Sequence, residues 1–220
     1  MDLYPLYNSL RISIISTILI FFIGVLSAYY ISKSPKFLKA ILDVVLTLPL
    51  VLPPTVIGFF ILKLLSPNST IGSFIMNVFQ EKIIMKWYSA IISTTIVSFP
   101  LMYRTARGAF ESYDKKLTYA AKTLGVSNAR IFWTIMLPTC KEGIIAGTIL
   151  SFARALGEYG ATSMVAGYTP GKTATISTTV YQLWRIGKDA EAYKWVLINV
   201  FISFVVLFAI NYFEKNQQKD

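Results

Sequence analysis

Four uncharged, apolar stretches are the feature that most constrains what this chain can fold into. A helix of about 20 apolar residues is long enough to cross the ~30 Å hydrocarbon core of a bilayer. The four stretches are Ile12–Ser32, Val44–Leu62, Trp87–Tyr103 and Trp195–Phe213. A fifth stretch, Gly143–Val165, is apolar but contains Arg154 and Glu158. The sequence therefore predicts an all-α membrane protein with about five transmembrane helices.

Composition supports a single membrane domain over residues 1–220. Of the 220 residues, 55% are hydrophobic and only 15% are charged, whereas a soluble domain carries roughly 25% charged residues. The net charge of +10 would also suit a protein that binds nucleic acid, but basic residues collect in the loops on the inner side of membrane proteins. We therefore expect contact with the lipid bilayer and no nucleic-acid partner.

The chain lacks the residues on which most enzymes and metal sites depend. It contains no histidine, which is the commonest general base and metal ligand. Its one cysteine, Cys140, cannot form an internal disulfide. We therefore expect no catalytic residue, no metal site and no cofactor bound by the chain itself.

Lysine and arginine predict which side of the membrane each loop faces. With five crossings, loop 33–39, segment 104–141 and the C-terminal tail share one side and carry twelve Lys and Arg residues, against eight on the other side. Basic loops stay in the cytoplasm. We therefore expect the N-terminus outside and the C-terminus in the cytoplasm.

The second apolar stretch contains three prolines, Pro49, Pro53 and Pro54. Each proline lacks a backbone donor and pushes on the preceding helical turn. Inside a membrane, only neighbouring helices or a wet cavity can satisfy the carbonyl groups that are freed in this way. The stretch predicts a kinked helix that lines a transport path, with a purely structural kink as the alternative.

Hydroxyl side chains inside the apolar stretches are further candidates for the lining of such a path. They would offer uncharged donors that hold a passing anion weakly enough to release it, although such side chains often bond only their own helix backbone. The candidates are Thr55, Thr94, Thr95, Ser98 and Ser151.

The fifth apolar stretch carries a stripe of small residues and a pair of charges. Small residues at every fourth position, which allow close approach of another helix, are Gly143, Gly147, Ser151 and Ala155. Arg154 and Glu158 are also four residues apart, so they can pair on one helical face. Charges at this depth usually face protein or a water-filled path. The pair is expected either to take part in gating or only to hold the bundle together.

Residues 166–173 read AGYTPGKT, which differs by one residue from the phosphate-binding loop G-x-x-x-x-G-K-[ST]. Ala166 stands where that loop needs its first glycine, and an apolar helix rather than a strand is predicted before it. The predicted side is also extracytoplasmic, where there is no ATP. We therefore expect a Pro-Gly turn and no ATP site in this chain.

Residues 118–138, TYAAKTLGVSNARIFWTIMLP, form an amphipathic, basic segment between two apolar stretches. Ala120, Ala121 and Leu124 would form an apolar patch on a first helix, which Gly125 can end in the left-handed conformation. Val126 is then placed to fold back on the last turn of that helix.

A second helix is predicted to follow at once. Ser127 is a good N-cap for a helix over Asn128–Leu137, and Pro138 ends this helix or begins the next element. The segment would either dock a protein partner or rest on anionic lipid, helped by Lys122 and Arg130.

The spacing A-A-x-x-x-G followed by I-x-L-P resembles the EAA loop of bacterial ABC importer permeases. In that family the loop forms the coupling helix, which sits in a groove of the ATP-binding subunit. The leading Glu of the family pattern falls on Tyr119, where this sequence departs from it. The residues to which the resemblance assigns coupling are Tyr119, Ala120, Ala121, Leu124, Gly125, Val126, Ser127, Arg130 and Pro138.

Three further stretches resemble the oxyanion importers within that family. Ser151–Gly167 (SFARALGEYGATSMVAG) is similar to their segment after the EAA loop, and it adds Gly160 to the gate candidates. Leu48–Gly58 and Pro170–Tyr181 look most like the molybdate permease subunit. The resemblance runs roughly over residues 9–213 and implies the permease fold of type I ABC importers.

The resemblance also implies the partners and the location. The chain would form a homodimer in a bacterial or archaeal cell membrane, with a cytoplasmic ATP-binding subunit that holds ATP and Mg²⁺. An extracytoplasmic substrate-binding protein would deliver molybdate for import by alternating access. Tungstate, sulfate or thiosulfate are alternative substrates, and a passive channel is the competing class.

Overall fold

The computed structural model describes residues 2–217, which are helical wherever they form regular structure. The helices are α1 (Tyr4–Ser32), α2 (Lys36–Thr47), α3 (Pro54–Leu65), α4 (Thr70–Phe79), α5 (Trp87–Ser112), α6 (Lys115–Thr123), α7 (Asn128–Thr139), α8 (Lys141–Leu156), α9 (Gly160–Val165), α10 (Ile176–Arg185) and α11 (Asp189–Gln217). Lys219 of the predicted basic tail lies outside the described residues.

The core forms where α5 packs between α1 and α8. Met102, Tyr103 and Ala106 of α5 are fully buried there, together with Ile20 and Ala28 of α1. Close approach depends on small residues. A methyl group added at Gly24 would lie 2.7 Å from Met102 Cγ, and one added at Gly143 would lie 2.7 Å from Ala109 Cβ. Gly143 and Gly147 of the predicted small-residue stripe therefore face α5.

Within residues 2–217, two single helices are long and apolar enough to cross a membrane, namely α1 and the 189–208 part of α11. Two bent helix pairs, α2 with α3 and α7 with α8, raise the number to as many as four. The central helix α5 has 26 residues, about 39 Å at 1.5 Å per residue. It is long enough to cross a membrane but more polar than α1. Neighbouring helices bury several of its polar residues, so these do not face lipid.

The second apolar stretch is not one kinked helix, so this prediction is wrong. A short 3₁₀ turn, Leu48–Leu50, follows α2, and α3 then begins at Pro54 after a bend of 104°. Pro53 is extended, with ψ 134°, because a residue that precedes proline is pushed out of the helical region. Two successive prolines therefore break the helix completely.

The fifth apolar stretch, 143–165, is also not one helix. It is divided into α8 and α9, with Gly157, Glu158 and Tyr159 between them. A second break of 73° separates α7 from α8 at Cys140. The apolar length of this stretch predicts a single span, but two helices share it.

Candidate functional site

The 118–138 segment has the predicted helix–glycine–helix shape. Gly125 has φ +75°, the left-handed conformation that glycine adopts without strain. Its N–H donates to the Lys122 carbonyl at 3.0 Å, and the Val126 N–H donates to the Ala121 carbonyl at 3.1 Å. This pair of bonds is the Schellman ending of a helix, so Gly125 fixes the angle at which the chain leaves α6.

Ser127 begins α7 as predicted. Its hydroxyl accepts a hydrogen bond from the Arg130 N–H at 3.4 Å. The helix continues to Thr139, two residues beyond the predicted end, and Pro138 lies inside its last turn. Its middle, Phe132–Met136, is a π-helical turn, which rotates the faces before and after it relative to each other.

Burial divides the segment into an inner and an outer face. Ala121, Phe132 and Met136 are buried against the bundle, and Phe132 packs edge-on against Tyr29 of α1 at 4.5 Å between ring centroids. The predicted patch of Ala120, Ala121 and Leu124 is therefore wrong in one member, because Ala121 faces inward. The packing of α6 against α7 decides this.

The outer face of the segment carries three large exposed side chains. Tyr119 is 63% exposed, Leu124 is 82% exposed and Trp133 is 61% exposed. We call these three residues the outer patch. Trp133 was missed by the sequence analysis, although a tryptophan in a polar loop segment was a usable signal. A patch of this kind can bind a partner protein through aromatic and aliphatic contacts.

A charge cluster ties α2 to α5 near the same end of the bundle. Arg107 forms ion pairs with Asp43 and, at 3.3 Å, with Glu111. Tyr103 donates its hydroxyl to Asp43, and Lys39 pairs with Glu111. The sequence analysis did not select this cluster, whose visible signal was the four-residue spacing of Arg107 and Glu111.

Arg154 and Glu158 do form an ion pair, at 2.6 Å between Nη2 and Oε2. They do not share a helix, because α8 ends at Leu156 and Glu158 lies in the break. The other carboxylate oxygen of Glu158 accepts the Ala161 N–H at 2.8 Å. The Glu158 side chain is only 1% exposed, whereas that of Arg154 is 32% exposed. Glu158 thus joins α8 to the start of α9.

The two broken stretches meet at their breaks. A methyl group added at Gly160 would lie 3.0 Å from Pro54 Cβ and 3.2 Å from the Thr55 nitrogen. One turn further on, a methyl group at Gly58 would lie 2.8 Å from the Ala161 Cα. The starts of α3 and α9 are therefore packed backbone against backbone.

The structure divides the predicted path residues into two groups. Pro54, Thr55, Glu158 and Gly160 lie together at this contact. Pro49 and Pro53 flank the break of the first bent pair, in the 3₁₀ turn and directly before α3.

The hydroxyl candidates lie deeper between helices. Thr94 Oγ1 of α5 lies 3.5 Å from Thr162 Oγ1 of α9. The hydroxyl oxygens of Thr95, Ser98 and Ser151 are buried without a hydrogen-bond partner within residues 2–217. Since Ser98 and Ser151 are fully buried, this arrangement of the chain exposes neither of them to an open path.

The AGYTPGKT stretch is a loop between α9 and α10. It follows helix α9, and no strand occurs in the described part of the chain. Gly167 and Gly171 have positive φ, and Thr173 Oγ1 accepts the Thr169 N–H at 2.9 Å within the loop. The hydroxyl that would bind Mg²⁺ in a phosphate-binding loop therefore accepts a hydrogen bond within the loop. Within residues 2–217 there is also no cluster of metal-binding side chains.

Comparison with known proteins places these features in a family. Residues 20–219 match the family described as "Binding-protein-dependent transport system inner membrane component". The putative molybdenum transport system permease protein YvgM of Bacillus subtilis is 38% identical over 206 residues, 94% of this chain and 91% of that protein. The molybdenum transport system permease protein ModB of Escherichia coli K12 is 38% identical over 200 residues, 90% of this chain and 87% of that protein.

A solved structure confirms the fold. A bacterial ABC transporter involved in the import of the acidic polysaccharide alginate contains a chain that superposes with a TM-score of 0.77 at 17% identity. The superposition covers 97% of this chain and 79% of that chain. The predicted all-α permease fold of type I importers, with about five transmembrane helices, is therefore confirmed.

Proposed function

Because this chain belongs to the family of inner membrane components of binding-protein-dependent transport systems, we propose that it is the permease subunit of an ATP-driven molybdate importer. Molybdate is proposed as the substrate because of the similarity to the two relatives named above. Each is a molybdenum transport permease, or a putative one, that is 38% identical over at least 90% of this chain.

The subunit works as a homodimer with a cytoplasmic ATP-binding subunit and an extracytoplasmic binding protein. Large exposed apolar side chains support further contacts with lipid or a second copy, since Phe37, Val51 and Phe201 are 80%, 83% and 67% exposed. ATP and Mg²⁺ are held by the partner, and this chain contributes no catalytic residue.

The 118–138 segment faces the cytoplasm, and the N-terminus lies outside. The excess of Lys and Arg on the side that includes this segment supports this orientation. The outer patch of Tyr119, Leu124 and Trp133 docks against the ATPase subunit. The inner residues Phe132 and Met136 couple a displacement of the segment to α1 and α5, because they are packed into one hydrophobic cluster with residues of both helices.

Alternating access arises at the two broken stretches. When the ATPase subunits close on ATP, the segment moves, and α8 moves with it because only Cys140 separates α7 from α8. Glu158 links α8 to α9, and α9 is packed against α3 at Gly160 and Pro54. The contact between the two breaks is therefore the place where a gate opens and closes.

Reconstitution of the whole transporter tests this function. Vesicles that contain the permease and its ATPase are supplied with the binding protein loaded with molybdate, tungstate, sulfate or thiosulfate. We expect ATP-dependent uptake that is fastest with molybdate. Faster uptake of another oxyanion would assign that substrate, and uptake without ATPase or ATP would indicate a passive channel.

A further inference from the structure

A cavity of about 510 Å³ opens at the end of the bundle opposite the 118–138 segment. It lies between the first turns of α1, the start of α5 and the loop that follows α9. Three cationic side chains, Arg11, Lys86 and Lys172, line it, and its described lining contains no carboxylate.

Arg11 is held in place as a cation without a counter-ion. Its guanidinium carbon lies 3.5 Å from the centroid of the Trp87 ring, and Nη2 donates to Asn8 Oδ1 at 2.8 Å. Its Nε is buried without a hydrogen-bond partner, and no carboxylate within residues 2–217 lies in ion-pair range. A half-buried charge that has lost water and gained no opposite charge favours the binding of an anion.

The opposite wall of the cavity is the loop that resembled a phosphate-binding loop. Tyr4 donates its hydroxyl to the Lys172 carbonyl at 2.5 Å, and Asn8 Nδ2 donates to the carbonyls of Thr173 and Ala174 at 3.2 and 3.0 Å. These bonds fasten the loop to α1 and fix the backbone of Lys172 beside Arg11.

The charges of the cavity suit a doubly negative ion. Lys86 lies 3.8 Å from Glu81, so its charge is partly neutralised. Arg11 and Lys172 have no such partner among the described residues. Two uncompensated positive charges and the planar N–H fork of arginine match a tetrahedral dianion.

We infer that this cavity binds a tetrahedral oxyanion on the permease itself, before the ion reaches the contact between the two breaks. The inference rests on the proposed function for its substrate class. A lipid phosphate group has the same chemistry as a free oxyanion, and the experiment must separate the two.

Direct binding to the permease–ATPase complex tests the site in the absence of the binding protein. The complex is placed in nanodiscs of pure phosphatidylcholine and titrated with molybdate by calorimetry, with chloride as a reference ion. We expect Arg11→Gln and Lys172→Gln each to weaken molybdate binding about tenfold, because each removes a charge-assisted contact. Arg11→Lys should weaken it less, and Lys188→Gln, which changes an exposed lysine paired with Glu191, should have no effect.

Three results would overturn the site. In the first, molybdate does not bind the wild-type complex. In the second, the Arg11→Gln and Lys172→Gln variants both bind molybdate as tightly as the wild type does. In the third, phosphatidylglycerol added to the nanodiscs abolishes binding, which would assign the cavity to a lipid headgroup. Uptake assays on the wild type distinguish these results from a failure of the proposed function. Molybdate uptake without binding at the cavity would contradict only the proposed anion site.

Discussion

Val126 donates its backbone N–H to the carbonyl of Ala121 at 3.1 Å, across a glycine in the left-handed conformation. This bond turns the chain between α6 and α7 and leaves Leu124 on the outside of the turn, with 82% of its surface exposed. The same turn keeps Ala121 inside. One local hydrogen-bond pattern thus separates the side chains that hold the segment to the bundle from those that are free to contact a partner.

The turn predicts a large effect of substitution at Gly125. Gly125→Ala should lower the free energy of unfolding by about 1 kcal/mol, because φ +75° is strained for any residue with a Cβ. Gly125→Pro should do more, since proline fixes φ near −65° and removes the N–H that bonds Lys122. We expect the transporter assembled with this variant to hydrolyse ATP but to import little molybdate.

Gly108→Ala is the matched control for Gly125→Ala. Gly108 lies inside α5, and a methyl group added there meets no atom within 4 Å. The change should leave stability unaltered or raise it by up to about 1 kcal/mol. Thermal unfolding in detergent measures both variants, and equal losses at the two positions would contradict the assigned turn.

The contact between the two broken stretches predicts a second pair of variants. Gly58→Ala places a methyl group 2.8 Å from the Ala161 Cα, a backbone atom that cannot rotate away. We expect α3 and α9 to separate and uptake to fall at least about tenfold. Gly157→Ala, whose nearest atom would be 3.8 Å away, should import normally. Normal uptake by Gly58→Ala would remove this contact from the mechanism.

Arg154 and Glu158 should respond unequally to removal. Arg154→Ala leaves a carboxylate that is 1% exposed without its cation, at a cost of about 3 kcal/mol. Glu158→Gln should cost less, because an amide oxygen can still accept the Ala161 N–H. The double variant should be more stable than Arg154→Ala alone. Chemical unfolding in mixed micelles tests this order, and a double variant less stable than either single variant would argue against pairing.

A double-mutant cycle tests the link between α2 and α5. Asp43→Ala and Arg107→Ala should show a coupling energy of about 1.5 kcal/mol, because the pair is part of a partly buried cluster with side chains 23% and 25% exposed. Lys188 and Glu191 form the matched control pair, more than half exposed, and should couple by only about 0.3 kcal/mol. Similar couplings in both cycles would mean that the cluster adds nothing beyond a surface pair.

The features that the sequence predicted correctly are local. Gly125 and Ser127 end and begin helices through bonds to residues within five positions, so their neighbours in the sequence already contain the signal. The pairing of Arg154 with Glu158 is local in the same way.

The wrong predictions concern backbone breaks. Hydropathy over 44–62 and 143–165 averages over side chains and does not detect where a helix stops, so it predicts a single span for each stretch. The Pro53-Pro54 pair was a readable sign of a complete break, whereas the break at 157–159 has no proline.

The features that were missed depend on distant partners. Asp43 and Arg107 are 64 positions apart, and Lys39 and Glu111 are 72 positions apart. No window of the sequence contains both members of such a contact.

The most direct test of the account is the affinity of the solubilised permease for its ATPase subunit. Leu124 is the right position to change, because Ala121 is buried and a charge there would disrupt folding instead of docking. We expect Leu124→Glu to unfold at the wild-type temperature but to bind the ATPase at least about tenfold more weakly, since it places a charge in the outer patch. Wild-type affinity in a correctly folded Leu124→Glu variant would contradict the role of the segment as the docking site.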